Sequence, residues 1–359
     1  MVWWSRRGER RRGPDGPARL TVLGVMALSL LVILGQVGVR GAAAQVTTQP
    51  GPDGTPQFDR SIERRTYLKA APDMLQTYAA IVYDEVRKLP PQVRPEQMKN
   101  SDLRKRLLDL RLMMDFNAFL YEPERLGAMR DQVDAAYETV GLFKDLFDQS
   151  ELTGEPIDAG EESVRAAAMM ASLEWLRNDR QRQEFLQFLK QPSGEVLNLD
   201  RKDQPRLWKV ADVTPNGNQS ALAIVALVAA NGLTNLLNDG LLVDDILDVD
   251  QEADFHDVRK ALRSILVLVD MFPTAEDVVG DQRDPLAKLV DAYGDVNDAS
   301  IAYHDAQATD RDVDDRRDDL TKEYKKARDV ANWITDENQL RDYIGRLVSL
   351  QLFDITPLR

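Results

Sequence analysis

Between Leu126 and Phe147 seven apolar residues follow one another at alternating steps of three and four: Leu126, Met129, Val133, Ala136, Val140, Phe143 and Phe147. That spacing places all seven on one side of a helix. A strand would scatter them over both faces, because its side chains alternate. The stripe is narrow and long, as at the seam of a helical bundle. The same stepping recurs at Leu103, Leu107, Leu110 and Met114, at Phe255, Val258, Leu262, Ile265, Val269 and Phe272, and at Leu340, Tyr343, Leu347 and Leu350. Prolines stand between these runs, at 90, 91, 95, 123, 273 and 285, where they end one helix or open the next. The pattern predicts an all-α fold, a multi-helix bundle or helical array of seven to nine helices.

One interval breaks the pattern. Val196–Leu199 and Leu207–Val213 are short apolar pieces on either side of a turn-like Asp200–Pro205. They leave room for one short β-hairpin near 195–213. Residues 192–219 are therefore the expected connection between a first helical unit, 62–191, and a second, 220–359, which either stand apart or pack as one domain. Glu161–Lys190 is expected as a helical region whose polar middle, Arg177–Glu184, is bent, exposed, or the break between two helices. Pro285 to about Ile334 is expected as one long helical region, with the charged run Asp310–Asp319 as a solvated face.

The N-terminus reads as a targeting segment. Residues 1–19 carry six arginines, residues 20–39 are almost wholly apolar, and Ala42-x-Ala44 is a pattern that signal peptidases accept. About 20 apolar residues also suffice to cross a bilayer, so 1–44 is expected to be a signal peptide or an N-terminal membrane anchor. Either way residues 45–359 lie outside the cytoplasm. Contact with a membrane is then expected only through residues 20–39, if they are retained. Residues 45–61, rich in Thr, Pro, Gly and Gln, are expected to form a flexible linker.

Charge and composition narrow the function. The chain carries −14, and residues 1–44 hold seven arginines and two acids, so the remainder carries −19. Such a charge disfavours nucleic acid and suits a basic protein or envelope partner. There is no cysteine, which excludes disulfides and thiolate chemistry. Serine-hydrolase, zinc-protease and phosphate-loop motifs are absent from the sequence. Of the two histidines, His256 and His304, His256 stands between Asp254 and Asp257 and reads as a surface histidine near carboxylates, with a general base oriented by an acid as the alternative.

The stretch that invites a site is Ser220–Asp250. A ten-residue apolar run, Ala221–Ala230, leads after Gly240 into Asp244-Asp245-Ile246-Leu247-Asp248-Val249-Asp250. The run is expected to be a buried bundle helix, being too short to span a membrane. If Asp244 and Asp248 shared a helix, four residues apart, both would face one way and could hold one hard cation. The hexapeptide DDILDV resembles the second aspartate-rich motif of polyprenyl diphosphate synthases. The resemblance implies an all-helical enzyme holding magnesium on a diphosphate; it covers about seven residues. The family's first aspartate motif and its preceding lysines have no counterpart here. Asp248, Asp250, Glu252 and Asp254 are also spaced by two, as in a calcium-binding EF-hand loop. Ala253 stands where glycine is needed, and Arg259 where a bidentate glutamate is needed. Asp244, Asp248, Asp250 and Asp254 are thus the candidate ligands for weakly bound calcium or magnesium. The plainer reading makes Asp244 and Asp245 a solvent edge beside core leucines 241, 242 and 247, and Asp250 the cap of the next helix.

No residue is assigned a catalytic or cofactor-binding role. The expected function is a non-enzymatic, extracytoplasmic helical binding or scaffold protein of the cell envelope. The alternatives are a secreted carboxylate-dependent hydrolase or lyase on a helical scaffold and, more remotely, a magnesium-dependent protein like the polyprenyl diphosphate synthases.

Overall fold

In a computed structural model, residues 48–154 and 156–352 are described. The targeting segment expected at 1–44 lies outside them. The fold is almost entirely helical, as expected, but its helices are shorter and more numerous. A pair of two-residue strands, β1 (Gln49–Pro50) and β2 (Pro56–Gln57), comes first. It is followed by α1 (Arg60–Glu63), α2 (Tyr67–Lys88), α3 (Pro95–Lys99), α4 (Leu103–Phe116) and α5 (Pro123–Thr153). Then come α6 (Ala159–Ser172), α7 (Glu174–Arg177), α8 (Asp179–Leu189), α9 (Arg206–Ala211) and α10 (Ala221–Asp239). The chain continues through α11 (Val249–Asp270), α12 (Pro273–Val279), α13 (Arg283–Thr309), α14 (Val313–Asp336) and α15 (Gln339–Leu352). Ten of these have eleven residues or more, where seven to nine helices were expected. Three of the extra breaks fall where neither glycine nor proline signals them. The region 161–190 divides at Leu173 and Asn178 into α6, α7 and α8, and the region 285–334 divides at Asp310–Asp312. At the latter, Asp310 and Asp312 both take left-handed backbone angles, φ 55° and 52°, which aspartate tolerates better than most residues.

The hairpin exists, but not where it was expected. Residues 206–211 form α9, because Leu207, Trp208 and Ala211 lie on one helical side and are all buried. The two strands instead pair Gln49 with Gln57 and Pro50 with Pro56, inside the segment expected to be a linker. From there on the chain is fastened down. Phe58 is 1% exposed, and its N–H donates to the Met271 carbonyl at 2.9 Å. Gln57 Nε2 donates to the Asp270 carbonyl and to Glu276, and Tyr78 Oη donates to the Pro56 carbonyl. Glu63 accepts from the Thr274 backbone N–H at 2.8 Å and from its hydroxyl, at the start of α12. Residues 55–63 therefore tie α2 to the junction of α11 and α12. The described residues form one compact unit, and this tie between its halves is one reason.

The centre of that unit is α10 with an aromatic cluster at its side. Ser220 caps α10, its Oγ accepting from the Ala223 N–H at 3.2 Å. Eleven of its residues are buried, and α2, α9, α11 and α15 pack around it. The helix is long and apolar enough to cross a membrane, but most of its apolar stretch is buried in the fold. Beside it Trp208 stacks on Phe116, with ring centres 5.8 Å apart, and meets Phe119 edge-on at 5.0 Å. Its Nε1 donates to the Asp115 carbonyl at 3.0 Å. Phe116 also meets Tyr67 and Phe272, and Phe272 meets Phe58. One aromatic chain thus links α2, α4, α9 and the end of α11.

The seam that opened the sequence argument holds α5 against α4. Val133, Ala136, Val140 and Phe143 are buried along it. Polar side chains line the same contact: Arg130 pairs with Asp115 at 3.1 Å and Arg111 with Asp134 at 3.0 Å. On the other side of α4, Arg106 lies 3.3 Å from Asp109. Burial pushes the carboxyls of Asp109 and Asp115 up to about 6, against the pull of Arg106 and Arg130. Burial also raises Glu63 and Asp134. An acid raised in the folded state binds its proton more tightly there than in the unfolded chain. Stability is therefore expected to increase as pH falls from 7 toward 4.5, on the order of 1–2 kcal/mol for each of Asp109 and Asp115. Urea unfolding at pH 7 and pH 5 checks this. The protein should be more stable at pH 5, and D115N should shrink the difference. Equal stability at the two pH values removes the assignment.

Candidate functional site

The aspartate stretch is a turn, not a helix. Gly240 closes α10 with φ 102°, a conformation that a side chain would oppose. Leu241 and Ile246 anchor the turn in the core at 7% and 4% exposure, while Leu247 points outward. The backbone around Leu241 and Val243 is held by two tyrosines: Tyr293 Oη donates to the Leu241 carbonyl, and Tyr324 Oη accepts from the Val243 N–H at 3.0 Å. Gln251 reaches back from α11, its Oε1 accepting from the N–H groups of Asp244 and Asp245 at 2.9 Å each.

All four candidate ligands are exposed. Asp244 sits in the turn and Asp248 at the N-cap of α11, so the shared helix face expected for them does not form. Asp248 Oδ1 accepts from the Gln251 N–H at 3.0 Å. It is the cap expected at Asp250, which instead lies in the first turn of α11. Negative charge there is favourable, by about 0.3–1 kcal/mol. Asp254 stands one turn further on. Among the described residues no three acidic or histidine side chains surround one point as a metal would require.

A different constellation forms next to them. Glu252 and His256 lie four apart on α11, and Ser300 and His304 lie four apart on α13. All four meet, with Glu252 in the middle. His304 Nε2 is 2.9 and 3.0 Å from the two carboxylate oxygens, Ser300 Oγ donates to Oε1, and His256 Nε2 is 3.6 Å away. Both histidines of the chain thus converge on one buried carboxylate. Burial raises the Glu252 carboxyl, but the hydrogen bonds from Ser300 and His304 outweigh it and hold the group below its ordinary range. Burial lowers the His256 imidazole and so favours its neutral form, with Glu252 opposing. The acid stands between the serine and the histidine, and Ser300 is 1% exposed. The hydroxyl is thereby committed to Glu252 rather than held by His304, so the group acts as a polar tie between α11 and α13. Sequence reasoning placed His256 beside Asp254 and Asp257 and missed Glu252. The two i,i+4 pairs were visible in the sequence, but the facing of α11 and α13 was not.

On the first half, α6 is the outlying feature. It has fourteen residues and buries only Met169. It is held to α5 at its edges, by Arg165 donating to the Leu142 carbonyl at 2.7 Å and by Thr139 with Ser172 at 2.6 Å. Ser163, Val164, Ala167, Ala168 and Ala171 face solvent, with Val164 70% exposed. On one side, α6 and the loop Pro91–Val93 enclose an open groove of about 320 Å³, with Ala166 and Met170 on its helical wall.

Comparison with known proteins finds no matching family model, curated protein or solved structure.

Proposed function

We propose that this chain is a non-enzymatic helical binding or scaffold protein that works outside the cytoplasm and holds a protein partner on the outer face of α6. The observation that carries the reading is α6 itself. A fourteen-residue helix with one buried side chain gains little from the core it rests on. Its exposed side is alanine, valine and serine, which a partner helix can approach closely. Asp158, Glu161 and Glu162 at its start present negative charge, which suits a basic partner. The extracytoplasmic placement rests on the arginine-rich and then apolar N-terminal sequence.

The test is capture from envelope extract by the full chain and by V164E. Val164 is exposed, so V164E should keep the melting temperature within about 1–2 °C. Partner recovery should fall at least tenfold. Equal recovery by both chains removes α6 from the interface. No recovery together with cleavage of an envelope polysaccharide would favour the hydrolase reading instead.

A further inference from the structure

The chain has no cysteine, so its methionines carry all of its sulfur. Six of the eight described methionines are buried, and only Met129 and Met170 are half-buried. Met129 belongs to the stripe that α5 turns toward α4, and packs on the core there. Met170 stands in the wall of the groove between α6 and the loop Pro91–Val93, a space of about 320 Å³ that opens to solvent. Its neighbour Met169 is 0% exposed and is the one side chain that α6 buries. Two adjacent thioethers thus meet opposite surroundings. The direction of the Met170 sulfur is shown by Arg177 of α7, whose Nη1 donates to Sδ at 3.7 Å. Arg177 is exposed, so the lone pairs it meets lie on the solvent side of the thioether.

A thioether in this position is open to a peroxide. A sulfur lone pair bonds to one peroxide oxygen, the O–O bond breaks, and the second oxygen leaves as water once it takes up the proton of the first. Sulfur gives up two electrons and the peroxide gains them. Exposure decides which methionine reacts, and the product turns a flexible apolar side chain into a polar one. A peroxide is little larger than a water, whose share of liquid volume is about 30 Å³, so the groove admits it. The helix that carries Met170 has little else to hold it. Beyond Met169, the apolar packing of α6 on the core among the described residues is that of the half-buried Ala166 and Met170. A sulfoxide at Met170 removes one of these three contacts, because its oxygen favours water over the apolar wall.

We propose that Met170 is a peroxide-sensitive modification site, and that its sulfoxide loosens α6 from the core. The proposal holds with or without a partner on the outer face of α6, because both of its readouts are made on the isolated chain. The test treats the full chain with dilute hydrogen peroxide, then maps the sulfoxides by digestion and tandem mass spectrometry and follows amide hydrogen exchange over residues 159–172. Met170 should be oxidised at least tenfold faster than Met169 and Met129. Exchange along α6 should rise severalfold once Met170 is oxidised. M170L conserves volume and should fold. It should lose the fast oxidation and show no rise in exchange, whereas M129L should keep both. Oxidation of Met169 or Met129 as fast as that of Met170 overturns the site. Unchanged exchange in the oxidised wild type, or an equal rise in M170L, overturns its effect on α6.

Discussion

Replacing Trp208 by alanine is expected to lower the unfolding free energy by about 3–5 kcal/mol, the range for truncating a fully buried aromatic side chain. The indole is 0% exposed. Its removal deprives Phe116 and Phe119 of ring contacts and leaves the Asp115 carbonyl without the Nε1 donor. The lost hydrogen bond alone costs about 0.5–1.5 kcal/mol, since the Asp115 carbonyl still accepts from the Asn117 N–H. W208F separates the two parts: it keeps most of the ring contact and loses only the donor, so a loss of about 0.5–1.5 kcal/mol is expected. Denaturant unfolding of the three proteins gives both numbers. A loss below about 1 kcal/mol for W208A would show that α9 is not clamped between the halves. The cluster would then not be what joins α2 and α4 to the end of α11.

The position of Trp208 also shows where sequence reasoning stops. Helical stripes along α5, α11 and α15 were legible, since each is amphipathic over several turns and spacing alone decides which side is buried. The segment 195–213 was not, because six residues of α9 are too few to set a period. Leu207–Val213 then reads equally well as a strand. The linker expected at 45–61 failed for a related reason. Its composition is that of a flexible chain, but Phe58 is 1% exposed, and three hydrogen bonds to distant carbonyls and a carboxylate fix Gln57 and Phe58. None of those partners is near in sequence. The break between α13 and α14 hid inside a charged run, since aspartate rather than glycine takes the left-handed positions. Its ion pairs form three apart, Arg316 with Asp319 and Arg317 with Asp314.

The candidate site divides along the same line. The exposed edge at Asp244 and Asp245 was legible, because a cluster of charges after a glycine stop has few other places to go. That the cap is Asp248 and the anchor Ile246 depends on the depth to which the turn is drawn in by Tyr293 and Tyr324, which are 52 and 81 residues away. Glu252, His256, Ser300 and His304 depend wholly on tertiary facing.

The largest electrostatic effect is expected from Asp270, at the last turn of α11. Its carboxylate is 3% exposed and takes both Arg283 donors, Nε on Oδ1 and Nη2 on Oδ2, at 2.9 Å each. Its carbonyl accepts from Gln57, so one residue joins the N-terminal hairpin, α11 and the start of α13. Such a pair need not stabilise the fold relative to an apolar pair of the same shape, but breaking it strands a charge. D270A is therefore expected to cost about 3–5 kcal/mol, by leaving the 13%-exposed Arg283 side chain uncompensated. Removing the arginine as well should give part of this back. D270A/R283M should be less destabilised than the sum of its single variants by about 1–3 kcal/mol, the coupling of residues in one network. D270N keeps the shape and loses the charge, and should fall between wild type and D270A. If the three effects simply add, the pair does not hold the hairpin in place. The fastening of residues 55–63 would then rest on Phe58 and Glu63, whose contacts with Met271 and Thr274 do not pass through the Asp270 carboxylate.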